Sequence, residues 1–206
     1  MYWATRRQVC DGLSYACTYE KDAKLKCFYT NANSVVGKMT ELRQRAQGCD
    51  LIGVVETWVT SHINDGELSV EGYNMFRADR TNCKGGGLLM YIKDKFTSSV
   101  CTDMMSTDFK ESLWCLIEAE EGKILIGLCY RSTSSDANND ESLLKLLKRT
   151  TLQRGISHVM IMGDFNFPDI DYEQGLVRAG QNTAASKFFE ETQDLFLFQH
   201  VHAATR

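Results

Sequence analysis

Residues 160–171, MIMGDFNFPDID, decide how this sequence is read. The apolar run Val159 to Met162 is too short for a helix. It predicts a buried strand over His158 to Gly163. Gly163 is expected to break that strand at the rim of a sheet, and Asp164, Phe165 and Asn166 follow at once. Residues two apart in extended chain project to the same side, so Asp164 and Asn166 are expected to share a cleft while Phe165 turns away.

Two earlier segments repeat the design. CFYTNANS ends on Asn31 and Asn33, with Ala32 between them, and LIGVVETW ends on Glu56. A lone carboxylate at a strand end is ordinarily a turn former or a helix cap. Three polar strand ends in one chain weaken that reading. Glu, Asp and Asn without Cys or His form the oxygen donor set of Mg2+, which takes one or two carboxylates with water and substrate phosphate.

Outward from these segments, periodicity predicts strands at Leu25 to Thr30, Leu51 to Val55, Tyr73 to Ala78, Leu88 to Ile92, Ser98 to Thr102, Leu113 to Ala119 and Ile124 to Tyr130. LIGVV reads as a strand covered on both faces. Val35, Met39, Leu42 and Ala46 mark a helix to about Gln47. A second helix is predicted over Asp140 to Arg154, capped by Asn139 or Asp140, and a third over Ala184 to Leu195. Many strands and three clear helices predict an α/β fold with mixed sheet packed between layers. Residues 1–23 show no clear periodicity and read as an N-terminal extension, leaving one domain over 24–206.

With 206 residues, 43% of them apolar and 24% charged, the chain can bury a substantial core as one domain. Its net charge of −4 argues against coating nucleic acid by bulk positive charge, while leaving room for a local grip on phosphate. The eight cysteines form no C-x-x-C pair, and LKCF, LWCLI and GLCY read as buried free thiols. No stretch approaches the roughly 20 apolar residues of a membrane span, and MYWATRRQVC begins no secretory signal. An intracellular protein of the nucleus or cytoplasm, without membrane association, is the expectation.

TNANS, VVETW, GLCYRS and MGDFN resemble, in order and spacing, the motifs of the endonuclease/exonuclease/phosphatase superfamily over Leu25 to Arg206. GYNMFRADR, GGGLLMYIK, YRS and GDFNFPDIDY resemble more particularly the endonuclease domain of non-LTR (LINE-type) retrotransposons. The resemblance implies a four-layer α/β sandwich, two packed mixed β-sheets flanked by helices. It implies a Mg2+-dependent DNA endonuclease, with Mn2+ as a substitute ion and a reverse transcriptase domain as a companion in full-length relatives. Asn31 would match the phosphate and metal-site asparagine, Glu56 the metal-binding glutamate, and Tyr130 a tyrosine that hydrogen-bonds substrate phosphate. Asp164 would match the aspartate that activates water and Asn166 its transition-state partner.

Asn33 falls where relatives often carry aspartate, and Ser132 where they carry proline. Thr205 matches the threonine of a substrate-contacting PTR segment. The aspartate and Ser-Asp-His that follow it in relatives have no counterpart before Arg206, so the last strands are expected to be missing. His200 and His202 do not follow Ser-Asp, and they read as ordinary residues of a strand-like segment. Arg77, Arg80 and Lys84 read either as phosphate contacts or as a charged loop. Gly85 to Gly87 reads as a turn. A catalytically inactive remnant or binding module, and a phosphatase or phospholipid phosphodiesterase of the same superfamily, stand as alternatives to the nuclease.

Overall fold

Runs that are apolar on both sides become central strands, and runs with one wet side become the edges. The computed structural model of the chain describes residues 2–6 (backbone only), 25–80, 85–105, 108–109, 111–120 and 122–200. One sheet has four strands in the order β2-β3-β5-β4: β2 (Cys27–Asn31), β3 (Leu51–Val55), β4 (Tyr73–Ala78) and β5 (Leu88–Lys93). LIGVV, buried at every position, is β3 in its interior. The other sheet has six, in the order β12-β1-β9-β8-β7-β6. Its members are β1 (Tyr2–Arg6), β6 (Thr97–Val100), β7 (Ser112–Ala119), β8 (Gly122–Tyr130), β9 (His158–Asp164) and β12 (Phe198–Gln199).

The faces explain the layers. Leu51, Val55, Met90 and Ile92 of the small sheet meet Leu113, Ile126, Leu128 and Met162 of the large one in a shared core. The small sheet's outer face packs on α1 (Met39–Ala46) and α2 (Asp65–Leu68), through Met39, Leu42, Ala46 and Leu68. The large sheet's outer face packs on α3 (Ala137–Thr151) and α4 (Ala184–Asp194), with Leu143, Leu146, Leu147 and Phe188 buried against Leu125 and Ile161. Helices, sheet, sheet, helices make the four-layer α/β sandwich. A small ribbon of β10 (Ile170–Asp171) and β11 (Leu176–Val177) lies beside α4.

Both sheets are mixed, and each contains one parallel pair that positions the candidate site. β2 runs parallel to β3 with Asn31 beside Val55, and β8 runs parallel to β9 with Tyr130 beside Asp164. Parallel neighbours end at the same edge. The carboxyl ends of such strands are where open α/β sheets build their binding crevices.

The structure departs from the sequence reading at several places. Gly163 does not break its strand: β9 runs through it to Asp164. Glycine is required because a Cβ there would stand 1.9 Å from the Cys129 carbonyl oxygen on neighbouring β8. Helix α3 starts at Ala137, capped by Asp136, whose side chain accepts the Asn139 amide at 2.8 Å, so neither Asn139 nor Asp140 is the cap. Tyr2–Arg6, within the stretch read as an extension, pairs antiparallel with β9 and β12. A five-residue strand has too little length to declare a period, and its partners supply the order. Finally, α2 is a single turn closed by a capping box between Asn64 and Glu67, too short for a periodic stripe.

All five cysteines among the described residues are free thiols. Burial pushes the Cys27 and Cys115 thiols up to about 12, which keeps them protonated and unreactive. No helix among the described residues is long and apolar enough to cross a membrane.

Candidate active site

The site begins where β3 gives out. Beyond Val55 the chain is gripped from both sides: Ser34 and Val35 donate backbone N–H groups to the Glu56 and Thr57 carbonyls at 2.9 and 3.0 Å. On the other side, Thr57 and Trp58 donate to Gly87 and Gly86 at 3.2 and 3.0 Å. This double grip holds Glu56 and Trp58 at φ of 54° and 55°, a left-handed conformation costly for such side chains. Of seven non-glycine residues with positive φ among the described residues, five (Asn33, Ser34, Glu56, Trp58 and Asn166) lie just beyond β2, β3 and β9. Strain is concentrated at the three polar strand ends.

Two of those ends share one local device. The Asn33 amide donates to Asn31 Oδ1 and the Asn166 amide to Asp164 Oδ1, each at 3.2 Å. Each is a turn closed by the first residue's side chain, with the third residue left-handed. Simple extended alternation therefore does not describe these pairs. Ala32 and Phe165 are buried between their polar neighbours as expected. Lys38 fastens the first turn by donating to the Ala32 and Asn33 carbonyls.

Tyr130 joins the two sheets. Its hydroxyl interacts with the Glu56 carboxylate, and Asp164 and Glu111 also act on it electrostatically. Burial, then Glu56, then Asp164 and Glu111 raise the Tyr130 pKa well above its ordinary value, so it remains a neutral O–H donor. For Glu56, burial by itself would raise the pKa. The Tyr130 hydroxyl, hydrogen bonds from the Trp58 indole and the Gly86 amide, and the charge of Arg80 outweigh it and hold the carboxyl below its usual range.

Glu111, which motif reading passed over, stands beside this group. It pairs with Arg80 at 3.2 Å and accepts the Gly87 amide at 3.3 Å. Burial raises its pKa, with the Gly87 amide and Arg80 pulling the other way and Glu56 adding to the rise. The glycine run is thereby more than a turn. Gly86 and Gly87 have φ of 71° and 85°, and a Cβ on Gly87 would lie 2.5 Å from Thr57 Oγ1. Only glycine lets this loop lie against Glu56.

Arg131, also missed, holds the third strand end. Its guanidinium pairs with Asp140 at 2.6 and 3.0 Å and donates to the Phe165 and Asn166 carbonyls at 3.3 and 3.0 Å. It lies 4.0 Å above the Phe167 ring. The Asn166 side-chain amide returns a hydrogen bond to the Arg131 carbonyl at 2.6 Å.

The structure thus brings Glu56, Tyr130 and Asp164 to one edge, with Asn166 two residues on and Asn31 at the neighbouring end of β2. Arg77 stands apart from them. Its five N–H groups all donate within the protein, to Asp79, Asp65 and the Thr60 and Ile63 carbonyls, which leaves none for a phosphate. Arg77 braces the 60–65 loop. Asn33 is exposed at the turn beyond Asn31. Thr205, His202 and Lys84 lie outside the described residues. Among the described residues no group of three or more His, Cys, Asp and Glu is arranged to hold a metal ion. A cation here would have Glu56 and amide oxygens as protein ligands.

Four layers and a cluster of carboxylate, amide and phenol groups at the carboxyl ends of two parallel strand pairs define a fold class of nucleases and phosphatases. The chain belongs to the Endonuclease/Exonuclease/phosphatase family, whose model matches residues 25–198. Among solved structures it is similar to the endonuclease domain of TRAS1, a telomere-specific non-LTR retrotransposon, at 11% identity and a TM-score of 0.57, covering 81% of this chain and 68% of that one. It is similar to the AP endonuclease LMAP of Leishmania major at 15% identity and a TM-score of 0.60, covering 82% and 65%. The Neisseria 3′ phosphatase NExo, solved with a product DNA hairpin, gives 10% identity and 0.57, covering 84% and 71%. The chain therefore spans about two thirds of the length of these structures. No curated protein sequence matches it.

Proposed function

We propose that this chain is a Mg2+-dependent phosphodiester hydrolase that nicks DNA, of the kind carried by non-LTR retrotransposons. The observation that carries the reading is that Tyr130 and Asp164, side by side at the ends of parallel β8 and β9, lie within electrostatic reach of Glu56 just beyond β3, which draws chemistry from both sheets to one point. The donor set supports the ion: an ionised Glu56 and the Asn31 side-chain oxygen leave room for the waters and phosphate oxygens that Mg2+ keeps. When bound, Mg2+ supplies neutralisation of charge on the scissile phosphate and the leaving oxygen.

The protein's own groups do the rest. Asp164 accepts a proton from the attacking water as the new P–O bond forms and the bond to the leaving oxygen breaks. Asn166, through the amide proton not given to Arg131, and Tyr130, by turning its single O–H from Glu56 to the substrate, donate hydrogen bonds to the phosphate oxygens, which carry more charge in the transition state. Neutral donors suit an anionic substrate because they stabilise its growing charge while keeping their own protons. Support for DNA as substrate lies in the motifs shared with retrotransposon endonucleases and in the likeness to TRAS1, LMAP and NExo.

The test is supercoiled plasmid incubated with the chain and Mg2+. Open circles are expected, formed about 100-fold or more slowly by Asp164→Ala, the usual scale for losing a general base. Plasmid left intact, or nicked equally fast by Asp164→Ala, would overturn the proposal. A phosphomonoester and sphingomyelin run in parallel separate the nuclease from a phosphatase or phospholipid phosphodiesterase.

A further inference from the structure

Arg131 follows Tyr130 directly, yet points away from the cleft. It is 7% exposed, and its partner Asp140 is 12% exposed at the side chain. Between backbone and side chain, Arg131 touches every residue from 164 to 167. Its N–H donates to the Asp164 carbonyl at 2.8 Å, and its guanidinium takes the Phe165 and Asn166 carbonyls and covers the Phe167 ring. Its own carbonyl accepts the Asn166 side-chain amide at 2.6 Å. Asp140, in the first turn of α3, completes the fork and also accepts the Ser135 hydroxyl at 2.6 Å.

We infer that Arg131, held by Asp140, is a positioning residue that sets the Asp164 carboxylate and the Asn166 amide for the hydrolysis proposed above, on which the inference rests. The Asp164–Asn166 turn is left-handed at Asn166, with φ of 49°. Its carbonyls at 165 and 166 are drawn inward, where without a donor they would be stranded in a partly apolar setting. Arg131 supplies that donor and ties the turn to a fifteen-residue helix. The two side chains then sit on a rigid base. A planar fork with donors in fixed directions is needed to reach a carboxylate and two carbonyls at once, and a lysine ammonium lacks that geometry.

Arg131→Lys, Arg131→Met, Asp140→Asn and the Arg131→Met/Asp140→Asn double variant test this in the full chain, with circular dichroism to establish folding. Plasmid nicking should show kcat lower by about 10- to 100-fold in each single variant, the usual cost of removing such a support, with KM little changed. Arg131→Lys should fall as far as Arg131→Met, and the double variant no further than Arg131→Met. A merely structural role would lower the melting temperature while leaving kcat of the folded protein alone. The second readout needs no activity: the Asn166 side-chain amide resonances should shift and exchange faster in every variant. Unchanged kcat or an unmoved Asn166 amide in a folded Asp140→Asn or Arg131→Lys protein would overturn the inference. If wild type fails to nick plasmid, the nuclease reading falls, and the Asn166 amide alone decides whether the clamp exists.

Discussion

Tyr130 carries two consequences of its place at the end of β8: it is kept protonated, and it keeps Glu56 ionised. Removing its hydroxyl should therefore be felt at the partner. In Tyr130→Phe, burial still raises the Glu56 pKa while the opposing influence of the hydroxyl is gone, so the Glu56 pKa should move up toward its usual range. Because the native carboxyl sits below that range, its ionised form contributes stability at pH above the ordinary carboxylate value, and this is lost as pH falls through the lowered native pKa. In Tyr130→Phe this contribution should be smaller and its loss complete at a higher pH. Carboxyl carbon shifts followed through an acid titration check both statements, and an unmoved Glu56 midpoint would count against the interaction. At this scale the placement of Asn31, Glu56, Tyr130, Asp164 and Asn166 at or just beyond strand ends was legible, because polar side chains at the ends of apolar runs are visible in one dimension. Glu111 and Arg131 were not. Their meaning lies in Gly87, Asp140 and Asn166, residues remote in the chain, and in backbone angles that no residue type announces.

Strands were easier to read than helix ends. Tyr73–Ala78 and Leu51–Val55 were bounded correctly, and β5 and β8 within two residues, because each alternates or stays apolar over its length and stops at a polar break. Helix α3 began three residues earlier than expected. The stretch Asp136, Ala137, Asn138, Asn139, Asp140 offers several capping side chains in a row, and local preference does not rank them. The tertiary contact does: Asp140 is drawn to Arg131, which leaves Asp136 as the cap. Asp136→Ala should cost about 1 kcal/mol, the ordinary value of a cap, measured as a shifted urea midpoint with unchanged slope. Asn138→Ala, which removes a side chain outside the cap, should be close to neutral. Gly163 teaches the same lesson for strands, since a residue read as a stop is instead the price of close passage beside Cys129.

For the whole molecule, the decisive fact is that the two sheets present their parallel pairs toward the same edge. A ligand bound there touches both halves of the sandwich and should stabilise it as a unit. Mg2+ at about 100 times its dissociation constant would add about 2.7 kcal/mol. At roughly 2–4 °C per kcal/mol for a domain of this size, that is a rise in Tm of several degrees. Glu56→Gln should abolish the rise, and differential scanning calorimetry with and without Mg2+ measures it. An equal rise in both proteins would place the ion elsewhere. By itself the sequence determined most of the strands and the three longer helices, the layered α/β class and the residue types at three strand ends, since hydrophobic period and chain polarity are local properties. Only the tertiary structure decided that Tyr2–Arg6 joins a sheet, that Arg77 is spent on bracing a loop, and that Glu56 meets Asp164 across Tyr130. Those outcomes depend on strand order, on which donors are already taken and on backbone strain held by distant partners, and such quantities exist only after the chain has folded on itself.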